Sequence, residues 1–132
     1  MADNLTDAAE NLVLEWLFSN RTATRPTIPL KLKLMTVNGS DSSAGTELGT
    51  SGGYTAGGAT VTFGTAASGG SIATTADVSW TNMPATTIVG VEIWDTAGTP
   101  VRIAYGALSA SKTTNSGDTF TISSGQLTMT LA

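Results

Sequence analysis

Apolar residues follow two different periods along this chain. Over residues 4–18, Leu5, Ala9, Leu12, Val13, Trp16 and Leu17 recur three and four apart, the spacing of one helix face. Asn4 or Thr6 can cap such a helix, and Asp7 and Glu10 in its first turn suit the positive end of the helix dipole. Ser19 and Asn20 end it. A helix of about 13 residues is marginal alone in water, so its stripe must dock on its own domain or on an adjacent subunit. Residues 21–27 then read as an extended connector stiffened by Pro26.

From residue 28 onward the period changes to two. In 28–37, Leu30, Leu32 and Leu34 point one way and Lys31 and Lys33 the other, which predicts a half-buried strand with Pro29 at its entry. Further strands are predicted over 60–63, 71–75, 78–81, 86–95, 101–108, 119–122 and 126–131. Turn residues separate them at Ala97-Gly98-Thr99-Pro100, Asn115-Ser116-Gly117-Asp118 and Ser123-Ser124-Gly125. The segment 88–94 is apolar on both faces except at Glu92, which marks a central strand. Residues 38–59 are rich in Gly and Ser and read as a long mobile or assembly-ordered loop. The expected fold is mainly β, an antiparallel β-sandwich or jelly-roll-like domain with one short N-terminal α-helix. It forms a single domain over 1–132, with a helix arm at 1–20, a connector at 21–27 and the sandwich at 28–132.

Composition removes much chemistry. The 132 residues include no Cys and no His, so disulfides, Ser-His-Asp and Cys-His arrangements and the usual zinc ligands are excluded. Charged residues are 12% of the chain and the net charge is −4, with six scattered basic residues, so no nucleic-acid footprint is present. Arg21, Arg25, Lys31 and Lys33 form a loose basic group, read either as solvated charges or as a contact with an acidic partner. No basic n-region or long apolar run occurs, so neither a signal peptide nor a membrane span is expected. The 24 Thr residues favour strands and an uncharged surface suited to close packing against neighbours.

Candidate catalytic and binding chemistry is thin. The glycines from Gly52 to Gly58 lack a Gly-Lys-Ser/Thr ending and a following helix, so a phosphate cradle fails. Glu47, Asp77, Glu92 and Asp95 are the carboxylates weighed for glycoside hydrolysis. Asp95 and Asp118 read better as turn formers, and Glu92 as a partner of Arg102 across a hairpin. Asp41-Ser42-Ser43 lacks the alternating acids of a calcium loop. No catalytic residue, cofactor or metal is expected. Trp80, Trp94, Phe63, Phe120 and Tyr105 are assigned to core packing, whereas Trp16-Leu17-Phe18 crowds three large apolar groups around a helix end. The candidate interface is therefore Leu12, Trp16, Leu17, Phe18, Arg21 and Arg25.

Taken in order, several segments resemble a family of small phage virion proteins, labelled tail-fibre-like or head decoration (cement) proteins. They are Glu15-Trp16-Leu17-Phe18, then Arg25-Pro26-Thr27-Ile28-Pro29-Leu30-Lys31-Leu32, then Gly45-Thr46-Glu47 with Gly52-Gly53-Tyr54. Val61-Thr62-Phe63-Gly64, Gly90-Val91-Glu92-Ile93-Trp94-Asp95 and Tyr105-Gly106-Ala107-Leu108 complete the pattern. The resemblance implies a structural, non-enzymatic role in the virion of a protein made in the host cytoplasm. The first expectation is a capsid decoration protein, trimeric, that clamps the major capsid protein. The alternative is a tail or fibre component touching tail proteins or a host receptor, and a carbohydrate-active enzyme is the remote third.

Overall fold

The computed structural model describes residues 5–19, 23–67 and 69–131. Among them, helix α1 (Asp7–Phe18) precedes nine strands: β1 (Leu30–Val37), β2 (Thr46–Glu47), β3 (Ala59–Val61), β4 (Ser71–Ala73), β5 (Val78–Met83), β6 (Thr86–Trp94), β7 (Arg102–Thr114), β8 (Asp118–Ile122) and β9 (Thr128–Thr130). Every strand pairing is antiparallel. Strands β1, β2, β3, β6 and β7 form one sheet, with β6 between β1 and β7 as its apolar run predicts. Two ribbons, β4–β9 and β5–β8, complete a β-sandwich.

Alternation decides which side chains meet. Leu32 and Leu34 of β1 stand opposite Ile93 and Val91 of β6, and Ala104 of β7 continues the row. Val78, Trp80 and Met83 of β5, with Phe120 and Ile122 of β8, join the same buried cluster, while Ser79, Thr81, Thr119 and Thr121 stay exposed. Tyr54, Trp80 and Phe120 form a run of tilted rings, with centroids 6.1 and 5.9 Å apart. Trp94 and Tyr105 depart from the expected core role. They lie half-buried on the sheet's other face, beneath Lys33 (4.3 Å to the Trp94 ring) and Arg102 (5.3 Å to the Tyr105 ring).

The segment 38–59 also differs from the expected mobile loop. Its residues β2 pair with β1, and Leu48 and Tyr54 enter the core. The Tyr54 hydroxyl donates to Glu47 Oε1 at 2.8 Å and accepts from the Leu34 N–H at 3.2 Å. Burial, with the Glu47 carboxylate beside it, holds the Tyr54 phenol above its ordinary pKa and so keeps that donor proton in place. Glu47 also accepts from the Gly57 N–H and pairs with Lys33 at 3.5 Å, so Lys33 is not a freely solvated charge. Elsewhere the boundaries shift: β7 runs on to Thr114, six residues past its predicted end at 108, because Thr113 and Thr114 still pair with β6 beyond a bulge.

A buried polar knot crosses the outer face of the β6–β7 hairpin. Glu92, 1% exposed, accepts from Arg102 Nη1 at 3.2 Å, from the Gly45 N–H at 2.7 Å and from Trp94 Nε1 at 2.9 Å. Arg102 in turn donates to the Asp41 carbonyl at 2.9 Å. The expected Glu92–Arg102 partnership is present, and it clamps residues 39–45 onto the hairpin. Gly39 and Gly45 sit where a Cβ would run into Glu92 and the Val37 carbonyl respectively, so close approach requires glycine at both.

Removing one partner of a buried ion pair leaves an uncompensated charge. Arg102→Met should therefore destabilise the fold by about 3–5 kcal/mol. Adding Glu92→Gln to that variant should recover part of the loss, because Gln is neutral and still accepts from Gly45. Urea unfolding of the two variants against wild type checks both statements.

Candidate interaction surface

Helix α1 is rooted at its N-terminal end. Leu5 bridges Ala104 at the outer edge of β7, and the Thr6 N–H donates to the Ile103 carbonyl at 3.1 Å. Thr6 is the N-cap, and its hydroxyl accepts from the Ala9 N–H at 3.3 Å while donating to the Arg102 carbonyl at 2.6 Å. One buried threonine thus starts the helix and ties it to the hairpin. The helix consequently begins at Asp7, later than the predicted residue 4, because Leu5 extends along β7; Asn4 lies outside the described residues.

Beyond this root the helix is poorly covered. Ala9 is its one buried residue among those described, and Leu12 and Val13 are half-buried. Leu14, Trp16, Leu17 and Phe18 are exposed, Phe18 by 81% and Trp16 by 72%. Single exposed apolar residues are common on protein surfaces, but Leu14, Leu17 and Phe18 share one side of the helix at spacings of three and four, with Trp16 exposed on the other, a concentration of the kind that marks a contact.

Two apolar grooves flank the helix. The larger, about 740 Å³, opens between β1 and the β4–β9 ribbon and is lined by Ile28, Leu30, Phe63, Ile72, Met129 and Leu131, with Leu5 and Val13 at its helix side. The smaller, about 350 Å³, lies between the helix and the connector, lined by Leu12, Val13, Trp16, Pro26 and Ile103. Arg25 contributes to both.

The sequence-predicted interface is therefore partly assembled. Trp16, Leu17 and Phe18 form the exposed end, Leu12 turns into the smaller groove, and Arg25 stands exposed where the grooves meet. Arg21 lies outside the described residues. The groove residues Phe63, Ile72, Met129 and Leu131 went unrecognised, because they sit on short segments whose uncovered side is set by how the β4–β9 ribbon meets the main sheet. The carboxylates weighed for hydrolysis have structural work instead. Glu92 is buried in the knot, and Asp95 accepts from the backbone N–H groups of Thr27, Ala97 and Val101. Asp118 accepts from the Asn115 N–H within its turn. Among the described residues, no three metal-ligating side chains converge and no helix is long and apolar enough to cross a membrane.

The helix root carries one perturbed acid. The Asp7 carboxyl is held above its ordinary range by a hydrogen bond with the Asp41 carboxyl and by the charge of Asp41, with Arg102 opposing.

Residues 4–130 match the model of a protein family described as podophage GP4 fiber I protein gp80. No curated protein matches the chain.

Thr6→Ala removes the cap and the tie to β7 together and should cost about 1–2 kcal/mol. Amide exchange should show the loss concentrated in Asp7–Phe18, where a general loss would contradict the root assignment. Because the folded value of Asp7 is raised, its stabilising proton is held below the ordinary carboxylate range and lost as pH rises through the raised value. Helix protection factors should accordingly increase on acidification from neutral and level off below about pH 4, where the unfolded carboxyl is protonated as well. Asp41→Asn should flatten that dependence.

Proposed function

The chain belongs to the podophage GP4 fiber I protein gp80 family, and we propose that it is a non-enzymatic fibre component of a short-tailed phage particle. In this proposal it assembles with copies of itself as a trimer, and with larger tail proteins. The observation that carries the reading is the uncovered end of α1, where Trp16, Leu17 and Phe18 are exposed on a helix anchored at its base. A chain that worked alone would leave this apolar surface in water at a cost of about 25 cal/mol for each Å². A subunit hides it in assembly.

Glu92 and Asp95 hold backbone and side-chain donors, and the remaining surface is dominated by hydroxyls that pair across strands, such as Ser79 with Thr121 at 2.7 Å. Such a surface gives shape and hydrogen bonds for packing against protein neighbours.

Location in the particle separates this reading from head decoration. Gold-labelled antibody against the chain, applied to purified virions, should decorate the tail. Label spread over the head would make the protein a decoration protein instead, and unlabelled mature particles would remove it from the virion altogether. Light scattering of the purified chain should give three times the 13.4 kDa chain mass.

A further inference from the structure

Resting on the assembly reading above, we propose that the aromatic end of α1 from one copy seats in the large apolar groove of a second copy. The contact is thus heterologous, a helix end in a groove, and distinct from a contact of like surfaces.

The knob and the hole are both uncovered on the same chain and cannot meet within it. Leu5 at the helix root and Val13 in its middle line the groove, whereas Phe18 stands five residues beyond Val13 at the free end and does not line it. A rigid helix gains about 1.5 Å per residue, which carries Phe18 roughly 7–8 Å along the axis beyond Val13. Folding back would require breaking the helix. A second molecule suffers no such constraint.

Exposure points to the same pairing. The large apolar residues left exposed are Leu14, Trp16, Leu17 and Phe18 on the helix, Ile28 and Leu131 at the groove, and Val37 apart from both. Five of these seven (Leu14, Leu17 and Phe18 on one side of the helix, Ile28 and Leu131 at the groove) are accounted for by one contact, while Trp16 faces the smaller groove of its own chain. Phe18 alone offers roughly 150–250 Å² for burial. A standard interface buries about 800 Å² on each partner, so the two leucines and the groove rim must supply the remainder. Met129 on the groove wall is a side chain able to adapt to an inserted ring.

Charge matches as well. The last turn of α1 contains no basic residue, so its carbonyl-rich negative end has no cation from its own helix. Arg25 is exposed where the grooves meet, and a helix end entering there would come under the guanidinium of its host. The predicted interface residues Leu17, Phe18 and Arg25 thus divide between the two sides of one contact.

The native chain has no cysteine, which makes cross-linking decisive. Two full-length variants, Phe18→Cys and Ile72→Cys, are oxidised separately and as a mixture, with Met129→Cys as a second groove position and Thr121→Cys on the far ribbon as the control. The expected result is a disulfide dimer in mixtures of the helix variant with either groove variant, and none with the control. Phe18→Cys cross-linking to itself would show helix ends meeting each other, and the absence of any mixed dimer would leave the groove to another occupant; either result overturns the proposal. In parallel, Phe18→Glu should weaken self-association at least about tenfold, the scale set by burying one aromatic side chain, while Val37→Glu leaves it unchanged. Equal association of Phe18→Glu and wild type would also overturn it. Tail labelling is read on separate samples, so a fibre subunit with a different contact remains distinguishable from a protein that is not a fibre subunit.

Discussion

The buried Glu92–Arg102 pair is the constraint on which the rest of this molecule is arranged. A buried ion pair contributes little net stability when judged against apolar side chains of the same shape, because both charges must be stripped of water. Its importance here is positional. Glu92 brings residues 39–45 onto the central hairpin through Gly45, and Arg102 reaches the Asp41 carbonyl. The carbonyl of the same Arg102 accepts the Thr6 hydroxyl that roots α1. Hairpin, overlying loop and helix base therefore share one residue. Directional bonds of this kind specify a single arrangement, where an apolar contact at the same place would tolerate several.

The charge-poor surface follows from a different use of polar groups. With so few ionic residues, the outer faces rely on hydroxyl pairs across strands: Ser79 with Thr121, Thr87 with Thr113 at 3.0 Å, and Thr62 with Thr75 at 3.2 Å. Cross-strand pairs of this type add a few tenths of a kcal/mol to about 1 kcal/mol each and keep a β-branched residue suited to strands. They also lack the long flexible side chains whose ordering opposes tight packing between molecules. A Thr-rich exterior is thus compatible with both a stable ribbon and a subunit meant to be surrounded.

Much of this architecture is legible in the chain. Period-two alternation locates β1, β5, β6 and the start of β7, and the apolar run around Val91 marks the central strand. The partnership of Glu92 with Arg102 is readable because a tight hairpin brings the ends of two strands into register. Other features depend on packing that no local pattern encodes. Tyr54 and Leu48 are isolated apolar residues in a Gly- and Ser-rich stretch, and only the space beside β1 turns them into anchors. Trp94 and Tyr105 read as core by residue type, yet strand parity puts them on the face covered by Lys33 and Arg102. The apolar helix end is visible in Trp16-Leu17-Phe18, whereas the groove is not, since its walls come from β1, β4 and β9 and exist only once these meet.

The helix illustrates how one element can serve folding and assembly without conflict. Its base is held by directional, buried bonds from Thr6 to two carbonyls of β7, which fix where the helix starts and how it leaves the domain. Its far end carries adaptable apolar groups that make almost no demand on the domain's own core. Specific polar anchoring at one end converts the helix into a lever of defined direction, and non-directional burial at the other rewards contact with a partner of suitable shape. Had the aromatic residues stood at the base, they would have been consumed by the sandwich. Had the base been apolar, the helix could have slid along the groove and covered it from within. The separation of a polar anchor at Thr6 from the apolar far end of the twelve-residue helix is what leaves both surfaces uncovered in the single chain.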